Sequence, residues 1–226
     1  MDRLETSGGI KAQGIVCKWL CGLLIVQIIN LTYGILAQNI NFGQWDKWCL
    51  AAINAAALFF VIQLWREHKA YGVAAVLLSI DFICTLLWRF LFNNTAVFRY
   101  FYERLRMDNP MDILQIGYKI NEIGALCGLV AFFFELLAHR SIVKAKNKCL
   151  SNGWLGLGIS VVVLYILMKV LTGTVENMLN SGTLNIALYQ QVYPLLNLPG
   201  ILLKLAYAVL LLLTERVLRI EEVSTQ

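Results

Sequence analysis

The chain has 226 residues, of which 59% are hydrophobic and only 15% are charged. In soluble globular domains about a quarter of the residues are charged, so this composition excludes an ordinary water-soluble fold. The net charge of +5 does not indicate nucleic-acid binding, because the basic residues lie beside the ends of apolar segments. We therefore expect an integral, multi-pass membrane protein whose first partner is the lipid bilayer.

Six long apolar segments are predicted to cross the bilayer as α-helices. A hydrocarbon core about 30 Å thick needs roughly 20 apolar residues per helix, whereas a membrane barrel would show alternating segments of about ten residues. The predicted spans are 16–37, 48–65, 71–92, 113–137, 154–171 and 195–213. The expected fold is all-α, a polytopic transmembrane helix bundle of about six spans that forms a single domain over residues 1–226.

The first segment also has some features of a secretory signal, because basic residues precede its apolar stretch. Its apolar run is longer than the 7–15 residues typical of a signal, and Ile35-Leu36-Ala37 is a poor cleavage site. We read it as a span.

The distribution of lysine and arginine predicts the topology. Four of these residues lie on the side opposite the N-terminus: Lys47, Arg99, Arg104 and Arg106. Eleven lie on the side of the N-terminus: Arg3, Lys11, Lys18, Arg66, Lys69, Arg140, Lys144, Lys146, Lys148, Arg216 and Arg219. The positive-inside rule then places both termini in the cytoplasm.

The connections between spans differ in character. The 66–69 connection is so short that the second and third spans must be antiparallel neighbours. The 93–112 connection mixes aromatic and basic residues, which suits an interfacial anchor or a lid over a cavity mouth. It begins with a glycosylation sequon at Asn93, which matters only in a secretory compartment. The 182–194 stretch is too short to span, so it either lies in the interface or re-enters.

Cysteine and histidine usage gives no sign of a metal or a cofactor. The six cysteines contain no Cys-x-x-Cys pair and are read as buried apolar thiols. His68 and His139 fall in two short cytoplasmic connections. No metal-ligand cluster is therefore expected in the bundle.

Two carboxylates, Asp81 and Glu122, are predicted near the bilayer midplane. Asp81 lies ten residues past Tyr71 and Glu122 lies ten past Asp112, so both are roughly 15 Å from their span ends. A charge at that depth needs a partner or a purpose. Lys119 could neutralise Glu122, while Arg89 or Lys204 could serve Asp81. The residues that share a face with these carboxylates are Gln115, Tyr118 and Lys119 for Glu122, and Thr85 and Trp88 for Asp81.

Two interpretations of these carboxylates stay open. They are either polar contacts that fix helix packing or parts of a functional site. In the second case a carboxyl in apolar surroundings is held protonated and can act as a general acid. Asp81 fits that role better than Glu122, because Lys119 would favour ionisation of Glu122.

The start of the third span reads Arg-Glu-His-Lys-Ala-Tyr-Gly-Val-Ala over residues 66–74, followed by Asp81 in the same helix. This stretch resembles the small integral-membrane terpene cyclases of meroterpenoid and indole-diterpene pathways, which carry Tyr-Gly-Met-Ala after a charged turn. Lys69, Tyr71, Gly72 and Ala74 match. Asp81 stands where the family has Asn, and Thr85 stands where it has the catalytic Glu. The chain also lacks the family's second acid and differs in its number of spans.

The resemblance implies an enzyme that cyclises or isomerises a lipophilic, prenylated and epoxidised substrate by protonation. Asp81 would be the proton donor, with Glu122 as a second catalytic candidate. The substrate-binding candidates are Trp88, Phe82 and Tyr118, which would shield cationic intermediates, together with Arg89 and Lys119.

Two other functions fit the same sequence. The first is a transporter, or a substrate-binding membrane subunit, for a small solute or vitamin. Its polar pocket would be lined by Asn30, Asn54, Asp81, Lys119 and Glu122. The second is a non-catalytic membrane assembly subunit, and the sequence does not indicate what protein it would join.

The predicted topology can be tested with single cysteines placed at positions 5 and 222. Because both tails are expected in the cytoplasm, a membrane-impermeant thiol reagent applied to intact cells should modify neither cysteine. Modification of either tail would contradict the topology.

Overall fold

The computed structural model describes residues 2–37, 40, 42–43, 45–92, 99–100, 103–104, 110–181 and 186–224. Side chains are excluded from this description at 2–13, 110–113, 176, 179–180, 186–197 and 221–224. In the predicted 93–112 connection, residues 93–98, 101–102 and 105–109 lie outside the described residues. So do residues 182–185 of the predicted 182–194 stretch.

The described residues form six α-helices, which confirms the all-α fold class. They are α1 (Asp2–Leu36), α2 (Trp45–Glu67), α3 (Gly72–Leu86), α4 (Pro110–Val143), α5 (Lys148–Asn180) and α6 (Ile186–Ser224). A short 3₁₀ turn (Lys69–Tyr71) precedes α3, and a π-helical turn (Leu87–Phe92) extends it.

Among the described residues, five helical segments are long and apolar enough to cross a bilayer, as a multi-pass membrane protein requires. They are Gly14–Leu36, Trp45–Glu67, Lys69–Phe92, Leu114–Val143 and Lys148–Val175. The predicted sixth span, 195–213, lies within α6 but is not one of these five segments. It stays a prediction, together with the shared side of the termini.

The chain folds into two compact units. Unit 1 contains Met1–Asn41 and His139–Gln226, and unit 2 contains Phe42–Ala138. The helix α4 contributes its first 29 residues to unit 2 and its last turn to unit 1. The prediction of a single domain is not tested by this grouping.

In unit 2, α2 and α3 pack against each other as the neighbours that the short 66–69 connection predicted. The connection is held by backbone hydrogen bonds from the His68 N–H to the Leu64 carbonyl (2.8 Å) and from the Tyr71 N–H to the His68 carbonyl (3.1 Å). A Cβ atom at Gly72 would lie 2.7 Å from Nε1 of Trp65. Glycine at this position therefore lets the Trp65 indole lie against the start of α3.

Glycines of α4 bring it close to α3. A Cβ atom at Gly117 would lie 2.9 Å from Cζ3 of Trp88, and one at Gly124 would lie 2.6 Å from the Cβ of Cys84. As the residue numbers of the glycines increase along α4, the residue numbers of their partners on α3 and its π-helical turn decrease, so the two helices are antiparallel. Small residues at such a crossing let membrane helices pack at backbone distance, where dispersion contacts replace the missing hydrophobic driving force.

In unit 1, α6 packs against α1 and α5, and its core contains a cluster of aromatic and polar side chains. The His139 ring stacks on Trp154 with centroids 4.6 Å apart, and its Nε2 lies 3.2 Å from the Tyr207 hydroxyl. Nε1 of Trp154 donates to Oγ1 of Thr214 at 3.0 Å. All four side chains are at most 1% exposed, so each polar atom needs such a partner.

The prediction that His139 lies in a cytoplasmic connection was wrong. The helix α4 continues to Val143 and carries His139 into the core of unit 1. Hydropathy placed the end of the span too early, because polar residues such as His139 and Arg140 resemble a loop when the aromatic partners contributed by other helices are unknown. His68 does lie in the connection before α3.

Replacing Gly124 by alanine should destabilise the protein by about 1–3 kcal/mol, because the new methyl meets the rigid Cβ of Cys84 and the helices must separate. Gly156→Ala on α5 is the matched control, since no described atom outside its own stretch of helix lies within 4 Å of its Cβ position and alanine favours the helix. Thermal unfolding in one detergent measures both variants. Equal losses of stability at the two positions would contradict the close approach of α3 and α4.

Candidate functional site

A polar cavity of about 570 Å³ lies within unit 2. Its walls come from the beginning of α2, the end of α3 with its π-helical turn, and α4. The lining residues are Gly43, Asp46, Lys47, Asn54, Thr85, Trp88, Arg89 and Asn121. Six of these eight side chains carry a charge, an amide or a hydroxyl.

The cavity lies at one end of unit 2. The helix α2 begins at Trp45 and the π-helical turn ends at Phe92, and these ends adjoin because the two helices are antiparallel. Asn54 is nine residues from the first end and Thr85 is seven from the second, or about 13 Å and 10 Å at 1.5 Å per residue. The cavity therefore extends from the end of the bundle toward its middle.

The charged lining residues are two cations and one carboxylate. NH1 of Arg89 lies 3.8 Å from Oδ2 of Asp46, and these side chains are 28% and 45% exposed. An ion pair this long and this accessible contributes little stability, roughly 0–1 kcal/mol. Nζ of Lys47 lies 5.6 Å from the centroid of the Phe90 ring. Arg89 and Lys47 can therefore exchange their present contacts for an anionic ligand.

The π-helical turn carries Trp88 and Arg89 on the cavity wall. The Trp88 ring packs on Tyr118 with centroids 4.7 Å apart and fills the space that Gly117 leaves open. Wide π-helical turns are frequent at functional sites because they change the direction of side chains within a helix. The same turn carries Phe90, which packs on Trp48 with centroids 4.5 Å apart.

Asp81 lies one helical turn deeper than Thr85. Its half-buried carboxyl packs on α4, where a Cβ atom at Gly128 would lie 2.7 Å from Oδ2. The Thr85 side chain hydrogen-bonds the carboxyl and also lines the cavity. Thr85 therefore connects Asp81 to the cavity, although Asp81 is not among its described lining residues.

The other predicted site residues lie elsewhere. Phe82 is half-buried on α3, whereas Tyr118, Lys119 and Glu122 are exposed on α4. Glu122 is not among the described residues that line the cavity, and Asn121 is the residue of α4 that is. The expectation that Asp81 and Glu122 share one cavity gains no support from this lining.

Two residues considered as members of a polar site lie in unit 1. Nζ of Lys204 donates to Oδ1 of Asn30 at 3.3 Å. Asn54, the remaining amide of the predicted transporter pocket, does line the cavity of unit 2. Among the side chains described, no group of three or more His, Cys, Asp and Glu residues is placed to hold a metal ion.

Sequence reasoning missed Asp46, Lys47 and Asn121 as site residues. Asp46 and Lys47 stand between Trp45 and Trp48, a pattern typical of the membrane interface, so they indicated only the end of a span. Asn121 precedes Glu122, and the charge of Glu122 made it the stronger candidate in this part of the helix. Helical periodicity from Gly124 could have identified it, because residues three apart share a face.

The chain matches no family model, no curated protein and no solved structure.

The cavity can be tested by comparing adjacent cysteines at one depth. Asn54→Cys should react with a small charged thiol reagent, because a cavity that admits water allows the thiolate to form. Ala55→Cys, at an exposed position on the outer surface of α2, should react far more slowly, because hydrocarbon disfavours the thiolate. Labelling is measured above the wild-type background by mass spectrometry. Similar rates for the two cysteines would contradict the cavity.

Proposed function

We propose that the cavity of unit 2 binds a small polar solute that carries an anionic group. The chain would then be a transporter, or the substrate-binding membrane subunit of one. The observation that carries this proposal is the lining itself, since a cavity built from two cations, a carboxylate, two amides and a hydroxyl suits a hydrophilic ligand. Its volume falls within the roughly 300–1,000 Å³ of small-molecule sites.

Arg89 would provide the main recognition of the ligand. A guanidinium presents parallel N–H donors that match a carboxylate or a phosphate group. The NH1 atom of Arg89 lies 3.8 Å from Oδ2 of Asp46, which is long for an ion pair, so an incoming anion can compete with the Asp46 carboxylate for Arg89. Lys47 adds a second positive charge on the same wall.

The remaining lining residues would orient the neutral part of the ligand. The amides of Asn54 and Asn121 each offer donors and an acceptor, and the Trp88 ring provides a flat apolar surface. A solute with one acidic group and several hydroxyl or amide groups fits this set. Membrane residues that bear charge or amides and face a cavity are the usual markers of a solute pathway.

The terpene cyclase is a second candidate, and one observation favours it. The Asp81 carboxyl is one hydrogen bond from Thr85 on the cavity wall, and the Trp88 ring, which is in tilted contact with Tyr118, lines the same cavity. An acid beside an aromatic wall is the arrangement needed to protonate a prenyl substrate and shield the resulting cation. The polar lining suits the hydrocarbon part of such a substrate less well.

Arg89→Gln should weaken binding of the anionic solute about tenfold or more, because a hydrogen bond to a charged group is worth roughly 1.5–3 kcal/mol. Arg66→Gln is the control, since Arg66 is exposed at the opposite end of α2 and its one side-chain hydrogen bond among described residues is to Gln63. Binding of radiolabelled carboxylates and phosphate esters to the purified protein measures the effect. The proposal fails if the wild type binds none of them or if Arg89→Gln binds them equally well.

Asp81→Asn separates the two candidate functions. Asparagine keeps the size and the hydrogen bond to Thr85 but cannot deliver a proton, so a cyclase should lose roughly a hundredfold or more in rate. A solute-binding protein should bind nearly as the wild type does. Product formation from an epoxidised prenylated aromatic is followed by chromatography in membranes. The absence of any cyclised product from the wild type would exclude the cyclase function.

A further inference from the structure

Lys204 lies at the middle of the predicted sixth span, 195–213. Its Nζ donates to Oδ1 of Asn30 on α1 at 3.3 Å, and a Cβ atom at Gly34 would lie 3.9 Å from the same Nζ. Measured from the middle of the α1 span, Gly14–Leu36, Asn30 and Gly34 lie about 8 Å and 14 Å from the bilayer midplane. One half of the hydrocarbon core is about 15 Å thick. The Lys204 amine therefore lies within the hydrocarbon, in the leaflet where α1 ends.

The carboxylates of unit 1 are too far away to neutralise this amine. Glu215 lies about 16 Å farther along α6 and pairs with Arg219. The remaining acidic residues of unit 1 lie more than about 20 Å from Lys204 along the helix axes. They are Asp2, Glu5, Glu176, Glu221 and Glu222. Among the described residues, Lys204 forms no ion pair, and its one side-chain hydrogen bond is to Asn30.

The Lys204 side chain is exposed on the surface of the chain. Its neighbours on α6 include the exposed apolar residues Leu198, Leu202, Leu205 and Val209. A charged amine that faces lipid at this depth is costly, and the amide of Asn30 supplies a dipole but no opposite charge. This surface is therefore complementary to a membrane helix that presents a carboxylate at the same depth.

The chain itself carries such a carboxylate on α4. Asp81 is at the middle of the Lys69–Phe92 span, and its carboxyl lies against Gly128. Glu122 precedes Gly128 by six residues and so lies about 9 Å from the midplane. Because successive spans alternate in direction, the beginning of α4 lies in the leaflet where α1 ends. Lys204 and Glu122 therefore carry opposite charges at nearly the same depth.

Glu122 is on the outer face of α4. It lies two residues, or about 200° of helix rotation, from Gly124, which packs on α3. Its side chain is accordingly exposed, as are those of Ile123 and Leu126 beside it. Lys119 lies nearer the membrane surface, and Glu122 forms no ion pair with it or with any other described residue. The Glu122 carboxylate is therefore accessible to a neighbouring molecule in the membrane.

We propose that copies of the chain associate within the membrane through an ion pair between Lys204 of one copy and Glu122 of the next. The exposed leucines around Lys204 pack on Ile123 and Leu126 of the adjoining α4, and the two charges that face lipid in a single chain neutralise each other. Two different surfaces meet, so the contact is heterologous, and a closed ring pairs every Lys204 with a Glu122.

A second copy is favoured over an unrelated membrane helix because the chain supplies both charges at one depth, each on an exposed helix face. The contact is independent of the solute proposed for the cavity of unit 2, since neither Lys204 nor Glu122 is among the described residues that line it.

Association can be measured by fluorescence energy transfer between donor- and acceptor-labelled full chains in phosphatidylcholine vesicles, over a range of protein-to-lipid ratios. The wild type should associate. Lys204→Met and Glu122→Gln should each weaken association about tenfold or more, because each leaves the opposite charge unpaired at the contact. Lys119→Gln is the matched control, since it removes a neighbouring exposed charge of α4 that the contact does not use. Thermal unfolding checks that each variant is folded.

Charge reversal distinguishes association between copies from an ion pair within one chain. Lys204→Glu leaves two carboxylates and Glu122→Lys leaves two amines, so each variant alone should remain monomeric. A mixture of the two should associate, because the carboxylates of one variant meet the amines of the other, whereas mixing cannot restore an ion pair within one chain. If a reversed chain does not fold, the neutral variants decide.

Four results would overturn the contact: a wild type that stays monomeric, neutral variants that associate as the wild type does, folded reversed variants that fail to associate when mixed, or a loss of association in Lys119→Gln equal to that in Glu122→Gln.

Discussion

The close approach of α3 and α4 determines the geometry of unit 2. Gly117, Gly124 and Gly128 lie seven and four residues apart and so share one face of α4. The side chains that occupy the space above them are Trp88, Cys84 and the Asp81 carboxyl. Larger residues at these three positions would separate the helices, and the wall that carries Trp88, Arg89 and Thr85 would move with α3.

This packing also explains how a carboxyl is accommodated within an apolar helix. An unpaired polar group in hydrocarbon is costly, but Asp81 lies against backbone at Gly128 and is hydrogen-bonded to Thr85. The packing interpretation of Asp81 and the functional one are therefore compatible. The same side chain that fills the glycine surface is one hydrogen bond away from a polar cavity.

Hydropathy predicted the fold class and most spans, because a long apolar run in a membrane has few alternatives to a helix. The antiparallel pair of α2 and α3 followed from the length of the 66–69 connection. His139 shows where this reasoning fails. Its burial depends on Trp154 and Tyr207, which are more than ten residues away in sequence. The local sequence pattern around His139 cannot predict contacts with such distant residues.

The candidate site was predicted in part. Trp88, Arg89 and Asn54 were identified because polar or aromatic residues near or within a span demand an explanation, and all three line the cavity. Asp46 and Lys47 were not, because charges at the end of a span are normally explained by the interface. Glu122 drew attention by its charge, yet Asn121 beside it lines the cavity, since the rotation of α4 about its axis is set by the glycines.

Ligand protection of a single thiol is the sharpest test of whether the cavity of unit 2 holds a polar, anionic solute. Asn54→Cys is labelled with a charged thiol reagent in the presence of a panel of small carboxylates and phosphate esters. At least one of them should slow labelling at position 54 in proportion to its occupancy, and Arg89→Gln should remove this protection. Labelling that no anionic solute slows, or protection that persists without Arg89, would contradict the proposed binding.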